Sequence, residues 1–223
     1  MDWKAIMKDV KSGLKQFWNF LWNEDSIWSW MVNILLAFII IKFLIYPGIG
    51  IALGTNLPVV AVISESMQHD SNFDTWWSSP AVCEYVINGT ITAKDCTQGK
   101  WYADIGITKE EFYNYSMRNG FNKGDIIILR GVTFDNLKVG DILVYKSKLS
   151  YPVIHRVVEK NDLIETKGDH NYMQILTAQL NEKYVMKDQI IGKAWLRVPY
   201  LGYVKIFFAE AIQCVSFNGC KFG

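Results

Sequence analysis

The chain has 223 residues, of which 50% are hydrophobic and 14% aromatic, and its formal net charge at pH 7 is +1. This length suits one sizeable domain with additional segments and is too short for two full enzymes. The near-neutral charge and the lack of a basic stripe argue against a nucleic-acid partner, since proteins that bind nucleic acids usually carry basic residues over a whole face.

Residues 27–46 predict a membrane anchor. Their sequence, IWSWMVNILLAFIIIKFLIY, has no acidic side chain and one base, Lys42. A helix of about 20 apolar residues crosses a hydrocarbon core of about 30 Å, and Lys42 can extend its ammonium group to the lipid head groups. A cleaved signal peptide would have a shorter apolar core and a small-residue cleavage site, and a buried helix of a globular core is the other alternative. We predict a permanent anchor in contact with membrane lipid.

Basic residues predict the orientation of this anchor. Four lysines precede it: Lys4, Lys8, Lys11 and Lys15. After Lys42 the next Lys or Arg is Lys94. Because cytoplasmic flanks are enriched in Lys and Arg, we expect a single-pass protein of the cell membrane with a cytoplasmic N-terminus and an extracytoplasmic main domain. Apolar residues at near-helical spacing over 3–22 predict an amphipathic helix on the inner leaflet, with packing against a partner helix as the alternative.

The sequence after the anchor predicts a mainly β fold. Pro47, Gly48, Gly50 and Gly54 are expected to end the anchor helix and to begin a linker at the membrane interface. Short runs rich in β-branched residues then predict strands at 59–63, 126–130, 142–146, 153–159, 163–167 and 190–198. Gly-Asp turns separate several of these runs, a rhythm typical of an antiparallel sheet or barrel.

Residues 68–120 interrupt this pattern, and we interpret them as an α/loop insertion in the β domain. The sequence TKEEF is typical of a capped helix start and predicts a helix over residues 108–118. The apolar run in 201–223 is interrupted by charges, so we expect an interfacial or sheet-edge segment there. The predicted organisation is 1–26 amphipathic segment, 27–46 anchor, 47–58 linker, 59–67 and 121–200 β domain, 68–120 insertion and 201–223 C-terminal interfacial segment.

The four cysteines form two local pairs. Cys83 and Cys96 flank one short segment, and Cys214 and Cys220 flank another. Neither pair has the CxxC spacing of zinc or redox sites. Two disulfides are the simplest interpretation if the compartment is oxidising, and the sequence predicts no metal and no other cofactor.

Two hydroxyls follow the first predicted strand, in VAVISESMQHD at residues 60–70. A serine hydroxyl is a poor nucleophile at neutral pH unless a neighbouring base accepts its proton, so Ser64 or Ser66 could be catalytic only with such a base. In YPVIHRVVE, strand alternation places Val153, His155 and Val157 on one face, where apolar neighbours can hold the imidazole in one tautomer. The alternative is a core histidine that bonds to backbone.

The other histidines and the candidate acid lie in polar segments. We expect His69 and His170 to be solvated. Asp169 lies one strand and one turn after His155, so a hairpin could return its carboxylate to the imidazole and orient it. The order Ser, His, Asp along the chain is no obstacle, because a catalytic triad is defined by its geometry.

Four motifs occur in order behind the anchor: SESM, GDILVY at 140–145, IHRVVE at 154–159 and TKGDHN at 166–171. Together they resemble the type I signal peptidases of the archaeal and endoplasmic-reticulum kind, over most of the chain outside the insertion. The resemblance implies that Ser66 is the nucleophile, that His155 replaces the lysine base of bacterial relatives, and that Asp169 is the aspartate of the GDxN motif. It also implies that the Ser64 side chain and the Ser66 backbone N–H hold the oxyanion.

The chain departs from this family in one respect. The family has a second aspartate shortly after GDxN, whereas the next acid here is Glu182. Either Asp169 acts alone or the roles of the two acids have shifted.

The function implied by the resemblance is the removal of signal peptides from exported preproteins after small, AxA-like residues. The partners would be preprotein signal peptides and membrane lipid, and the sequence identifies neither substrate-binding residues nor subunits of a complex or of the translocation machinery. The alternatives are a related anchored serine protease with other substrates and a non-catalytic β domain that binds peptides or assembles with partners.

Overall fold

The computed structural model describes residues 3–87 and 90–201. It forms two compact units, which meet in the sequence between Ala52 and Leu53. The predicted disulfide of Cys214 with Cys220 lies outside the described residues, as does the predicted C-terminal segment beyond Leu201.

The first unit consists of two helices joined by a short turn. Helix α1 (Trp3–Asn23) matches the predicted amphipathic helix, and α2 (Ile27–Ile40) begins at Ser26, whose side chain caps the Ser29 N–H. The Ser29 hydroxyl donates to the Phe20 carbonyl at 2.6 Å. This bond ties the start of α2 to the end of α1.

The apolar helix is longer than the sequence analysis predicts. It continues from α2 through one π-helical turn (Ile41–Ile45) into α3 (Tyr46–Leu53), so Pro47 does not end it. Proline lacks an N–H and clashes with the preceding turn of an α-helix, and the wider π turn accommodates it: the Tyr46 N–H donates to Ile41 O, five residues earlier. The helix ends at Gly54, whose φ of 67° lies in the left-handed region. Among the described residues, this is the one helix long and apolar enough to cross a membrane.

The second unit is built on a six-stranded antiparallel sheet, which confirms the mainly β prediction. The strands are β1 (Val59–Ala61), β4 (Ile126–Arg130), β5 (Ile142–Tyr145), β6 (Val153–Lys160), β7 (Ile164–Lys167) and β8 (Ile190–Val198). Their order in the sheet is β1-β4-β8-β5-β6-β7. All six correspond to the runs of β-branched residues.

The insertion holds a second, two-stranded sheet as well as helices. Its elements are α4 (Phe73–Trp77), β2 (Pro80–Ile87), β3 (Thr90–Thr97), α5 (Gln98–Asp104) and α6 (Lys109–Tyr113). The predicted disulfide between Cys83 and Cys96 is present and links β2 to β3. Helix α6 has the predicted capping box between Thr108 and Glu111. It ends earlier than predicted, and the φ of 50° at Met117 is incompatible with a continuing helix.

The two faces of the main sheet carry different clusters of buried side chains. Val153 and Val157 of β6 pack on one face with Leu143 of β5. On the other face, Ile154 packs in the cluster that contains Met67, and Val158 packs against the aromatic core of the insertion. Successive side chains of β6 therefore point alternately into the clusters on the two faces of the sheet.

Candidate active site

Ser66 lies in the loop after β1, and the turn after β7 holds its backbone. The Ser66 carbonyl accepts a hydrogen bond from the His170 N–H at 2.9 Å. Met67, the next residue, is buried, and its carbonyl accepts the Phe121 N–H at 3.0 Å. The Ser66 side chain is half-buried. The loop thus fixes the backbone of the nucleophile candidate and leaves its side chain accessible.

The two serine hydroxyls of the SESM motif are neighbours. The Oγ atoms of Ser64 and Ser66 are 3.2 Å apart, and either can be the donor. Ser64 is exposed. Its assignment as an oxyanion donor stays a prediction.

His155 lies on β6, the strand next to the edge strand β7. Its side chain is buried on the same face as Val153 and Val157, as the strand alternation predicts. Its Nδ1 atom forms a short contact with Oε1 of Glu182. Because a carboxylate accepts hydrogen bonds, this contact places the proton on Nδ1 and leaves Nε2 as the basic nitrogen.

Glu182 is fully buried, and its neighbours fix it from several sides. The Ile175 N–H donates to Oε2 at 2.5 Å, and the Glu182 N–H donates to the Ile175 carbonyl at 2.9 Å. The Thr166 N–H of β7 donates to the Glu182 carbonyl at 2.8 Å. A carboxylate with bonds on both oxygens has one orientation, so Glu182 can fix the rotamer and tautomer of His155.

Asp169 has a different set of partners. Its carboxylate accepts two hydrogen bonds from the Arg156 guanidinium, at 2.9 Å from Nε and 2.7 Å from Nη2. His69 Nε2 lies 3.2 Å from Oδ2, and the Tyr102 hydroxyl donates to Oδ1 at 3.2 Å. Burial alone would raise the pKa of Asp169, yet the positive charge of Arg156 and the bond from His69 hold that pKa well below its usual range. Asp169 is therefore a buried anion at neutral pH.

The structure thus separates two groups that the sequence analysis combines. In the described parts of the chain, no hydrogen bond links Asp169 to His155, and none links the Ser66 hydroxyl to His155. Neighbouring residues of a strand point to opposite faces, so Arg156 and its partner Asp169 lie on the face that His155 does not occupy. The expected contact of Asp169 with the imidazole is absent from this structure, and Glu182 makes it instead.

The two remaining histidines differ from each other. His170 is exposed, as expected, and lies 3.6 Å from Asp70 Oδ2. The expectation for His69 is wrong: the residue is 8% exposed, stacks on Trp76 at a centroid distance of 3.8 Å and contacts Asp169. The aromatic residues of the insertion, which follow it in the sequence, exclude solvent from it.

Sequence reasoning did not assign a role to Glu182. It follows His155 by 27 residues. It lies in the segment 168–186, which has isolated β-bridges but no regular strand or helix that a sequence pattern could predict. The absence of any acid between the GDHN motif and Glu182 was the one signal that pointed to it.

Acyl transfer requires a nucleophile, a base and a group that orients the base, and the structure contains a candidate for each. A hydroxyl lies on a fixed loop, a buried imidazole has one nitrogen free to accept a proton, and a buried carboxylate orients that imidazole. Among the described residues, no group of three or more His, Cys, Asp or Glu side chains could hold a metal ion.

Comparison with known proteins gives a consistent result. The chain is 32% identical over 105 residues to the signal peptidase complex catalytic subunit of Candida tropicalis, 33% over 104 residues to that of Neurospora crassa and 38% over 104 residues to that of Eremothecium gossypii. This chain is similar to signal peptidase catalytic subunits. The similarity confirms the resemblance that the four motifs indicate.

The extent of the similarity is limited. The matches cover 43–44% of this chain and 60–63% of the relatives, so the chain spans about three fifths of the length of the curated relatives it matches. No family model matches the chain. No solved structure matches it either.

Proposed function

We propose that the chain is a membrane-anchored serine endopeptidase that removes signal peptides from exported preproteins. The observation that carries this proposal is the buried pair of His155 and Glu182, in a chain that has the SESM motif and resembles signal peptidase catalytic subunits. A buried imidazole with a fixed tautomer is what the SESM serine needs to become a nucleophile.

In the proposed mechanism, Ser66 Oγ attacks the carbonyl carbon of the scissile bond while His155 Nε2 accepts the hydroxyl proton. The resulting imidazolium is stabilised by the negative charge of Glu182 on Nδ1. His155 then gives the proton to the leaving amine, and an acyl-enzyme remains on Ser66. A water molecule, deprotonated by His155, hydrolyses that ester and restores the free serine.

The negative charge that develops on the carbonyl oxygen needs donors. We assign this role to the backbone N–H of Ser66 and the hydroxyl of Ser64. The distance of 3.2 Å between the Oγ atoms of these serines supports the assignment, because it places a donor beside the attacking atom. The Ser66 carbonyl is already bonded to the turn after β7, which fixes the direction of the peptide unit on that side.

The proposed location follows from the apolar helix. The 27 residues of Ile27–Leu53 at 1.5 Å per residue are long enough to span a bilayer with some tilt. We propose a single-pass anchor with residues 1–26 on the cytoplasmic side, α1 lying on the inner leaflet and the β domain outside. The disulfide of Cys83 with Cys96 supports the outside placement, since such bonds persist in oxidising compartments. An anchored site meets a substrate that is itself held in the membrane at raised local concentration.

The proposed substrates are preproteins with small residues before the cut, and the names of the relatives suggest that further subunits assemble with the chain. A second candidate function is a related serine protease with other substrates, and a third is a β domain that binds peptides without cleaving them.

The test is cleavage of a preprotein with an AxA site by the full chain, purified in detergent or reconstituted in lipid. We expect one cut after the small residue, located by mass spectrometry of the product. Ser66→Ala should lower turnover by about 10⁴-fold or more. Ser150→Ala, which changes an exposed serine outside the site, is the matched control and should cleave normally. Unchanged cleavage by Ser66→Ala excludes the assigned nucleophile, and binding without turnover in the unmodified chain supports the non-catalytic alternative.

A further inference from the structure

The insertion packs against the turn that follows β7. Trp76 Nε1 donates to the Asp169 carbonyl at 3.1 Å, and Gln98 Nε2 donates to the Asn171 carbonyl at 3.0 Å. On the same side, the Lys167 ammonium donates to Gln98 Oε1 at 2.8 Å. Three side-chain bonds thus fix the path of this turn, and all of them involve residues of the insertion.

The Asp169 carboxylate connects the insertion to β6. Tyr102 and His69 of the insertion both contact it, and the Arg156 guanidinium pairs with it from the strand. All four side chains are buried. Arg156 also lies over the ring of Phe112, with its Cζ atom 4.6 Å from the centroid. The charge pair is therefore enclosed by the insertion on one side and by the sheet on the other.

The turn contacts one proposed catalytic residue, Ser66, and the strand carries the other, His155. The turn holds the Ser66 backbone through the His170 N–H, and Gly168 lies so close that a Cβ atom there would be 2.8 Å from the Ser66 carbonyl oxygen. On the strand, Arg156 directly follows His155. A shift of the Asp169 cluster would thus move the serine and the imidazole relative to each other.

We propose that the insertion, residues 68–120, is a positioning element of the active site, and that Tyr102 and His69 act through Asp169 to set the distance between Ser66 and His155. This inference rests on the proposed function for its effect on turnover. The structural part of the inference, that the insertion controls the position of the Ser66 loop, does not depend on the proposed function. Misplacement of reacting groups by about 1 Å can lower a rate by about 100-fold, so small losses of order in this cluster are measurable in kcat.

The first experiment compares two substitutions that each remove one phenolic hydroxyl. Tyr102→Phe removes the donor to Asp169 and keeps the ring in the insertion core. Tyr113→Phe changes an exposed tyrosine of the same insertion and is the matched control. For Tyr102→Phe we expect a fall in kcat of about tenfold with little change in KM, and the control should equal the unmodified chain. Activity is expressed per folded molecule, with folding measured by urea unfolding.

The second experiment measures hydrogen exchange of the peptide that contains the His170 amide, in the full chain in detergent. Tyr102→Phe should speed this exchange by about tenfold or more, whereas Tyr113→Phe should leave it unchanged. Arg156→Lys keeps the positive charge and loses the two-pronged contact with Asp169, so it should have a larger effect in the same direction.

The outcomes separate this inference from the proposed function. Faster exchange together with a lower kcat supports the inference. Unchanged exchange and unchanged kcat in Tyr102→Phe would overturn it, as would a loss of stability with kcat per folded molecule preserved. If the unmodified chain cleaves no preprotein, the proposed function fails, and the exchange measurement alone then decides whether the insertion controls the Ser66 loop.

Discussion

The pair of His155 and Glu182 makes Glu182→Gln the most informative substitution. The amide keeps the size of the side chain and removes its negative charge. Its NH₂ group can also turn toward Nδ1 of His155, which would place the imidazole proton on Nε2 and remove the base that Ser66 needs. Where an amide replaces the orienting carboxylate of a serine–histidine enzyme, turnover falls by about 10⁴-fold.

A loss of similar size is expected for Glu182→Gln because of the surroundings of Glu182. Glu182 is fully buried and its two oxygens are bonded to His155 and to the Ile175 N–H, so solvent cannot replace the lost charge. We expect kcat to fall by about 10³- to 10⁴-fold, which corresponds to about 4–5 kcal/mol of barrier. Stability should change less, by about 1–3 kcal/mol, since the amide retains one acceptor and the backbone bonds of Glu182 persist.

The assay is steady-state cleavage of a preprotein by the full chain, with kcat and KM measured separately. Glu159→Gln is the matched control, because it makes the same chemical change at an exposed position of β6. A folded Glu182→Gln chain that retains kcat within about threefold of the unmodified chain would show that Glu182 does not orient His155. A large loss in Asp169→Asn with none in Glu182→Gln would contradict the assignment of Glu182 as the group that orients His155.

Three further predictions concern the surroundings of the site. Gly168→Ala should lower kcat by about 100-fold, because the new Cβ would approach the Ser66 carbonyl oxygen to 2.8 Å, whereas Gly13→Ala, with nothing within 4 Å, should not. Burial lowers the pKa of Lys167 to about 7, and the unfolded chain binds that proton up to about pH 10, so stability should rise with pH between these values. Lys167→Met should reduce the slope of the unfolding free energy against pH by about 1 kcal/mol per pH unit, as measured by urea unfolding. An unchanged slope would show that the titration of Lys167 does not cause the rise. Replacing Cys83 and Cys96, 13 residues apart, by serine should cost about 3 kcal/mol in urea unfolding, and no change would show that the disulfide is dispensable.

The sequence predicts the strands of the main sheet well because each is a local pattern. All six predicted runs are strands, and no end differs by more than two residues. The hairpin of β2 and β3 was missed, although Asn88-Gly89 lies between its strands and is the dipeptide typical of tight hairpins. The continuation of the apolar helix past Pro47 could not be predicted from composition, since it depends on a π turn that precedes the proline.

The active site is predicted less completely because its contacts are distant in sequence. Alternation in β6 placed His155 correctly on an apolar face. The GDHN motif identified Asp169, but a motif does not state which residue an acid contacts, and the partner here is Arg156. Glu182 reaches His155 only because the irregular segment after β7 returns to the sheet, and its path is fixed by backbone bonds to Ile175 and Thr166.

The proposed mechanism requires that Ser66 forms a covalent intermediate with the substrate. The most direct measurement is to mix the full chain with a preprotein, quench the reaction with acid during the first turnover, digest the protein and identify acylated peptides by mass spectrometry. We expect Ser66 to carry the C-terminal residues of the signal peptide, with an added mass equal to that of this fragment less one water, and we expect no acylated peptide from Ser66→Ala. An acyl group on another residue, or cleavage by Ser66→Ala at the normal rate, would contradict it.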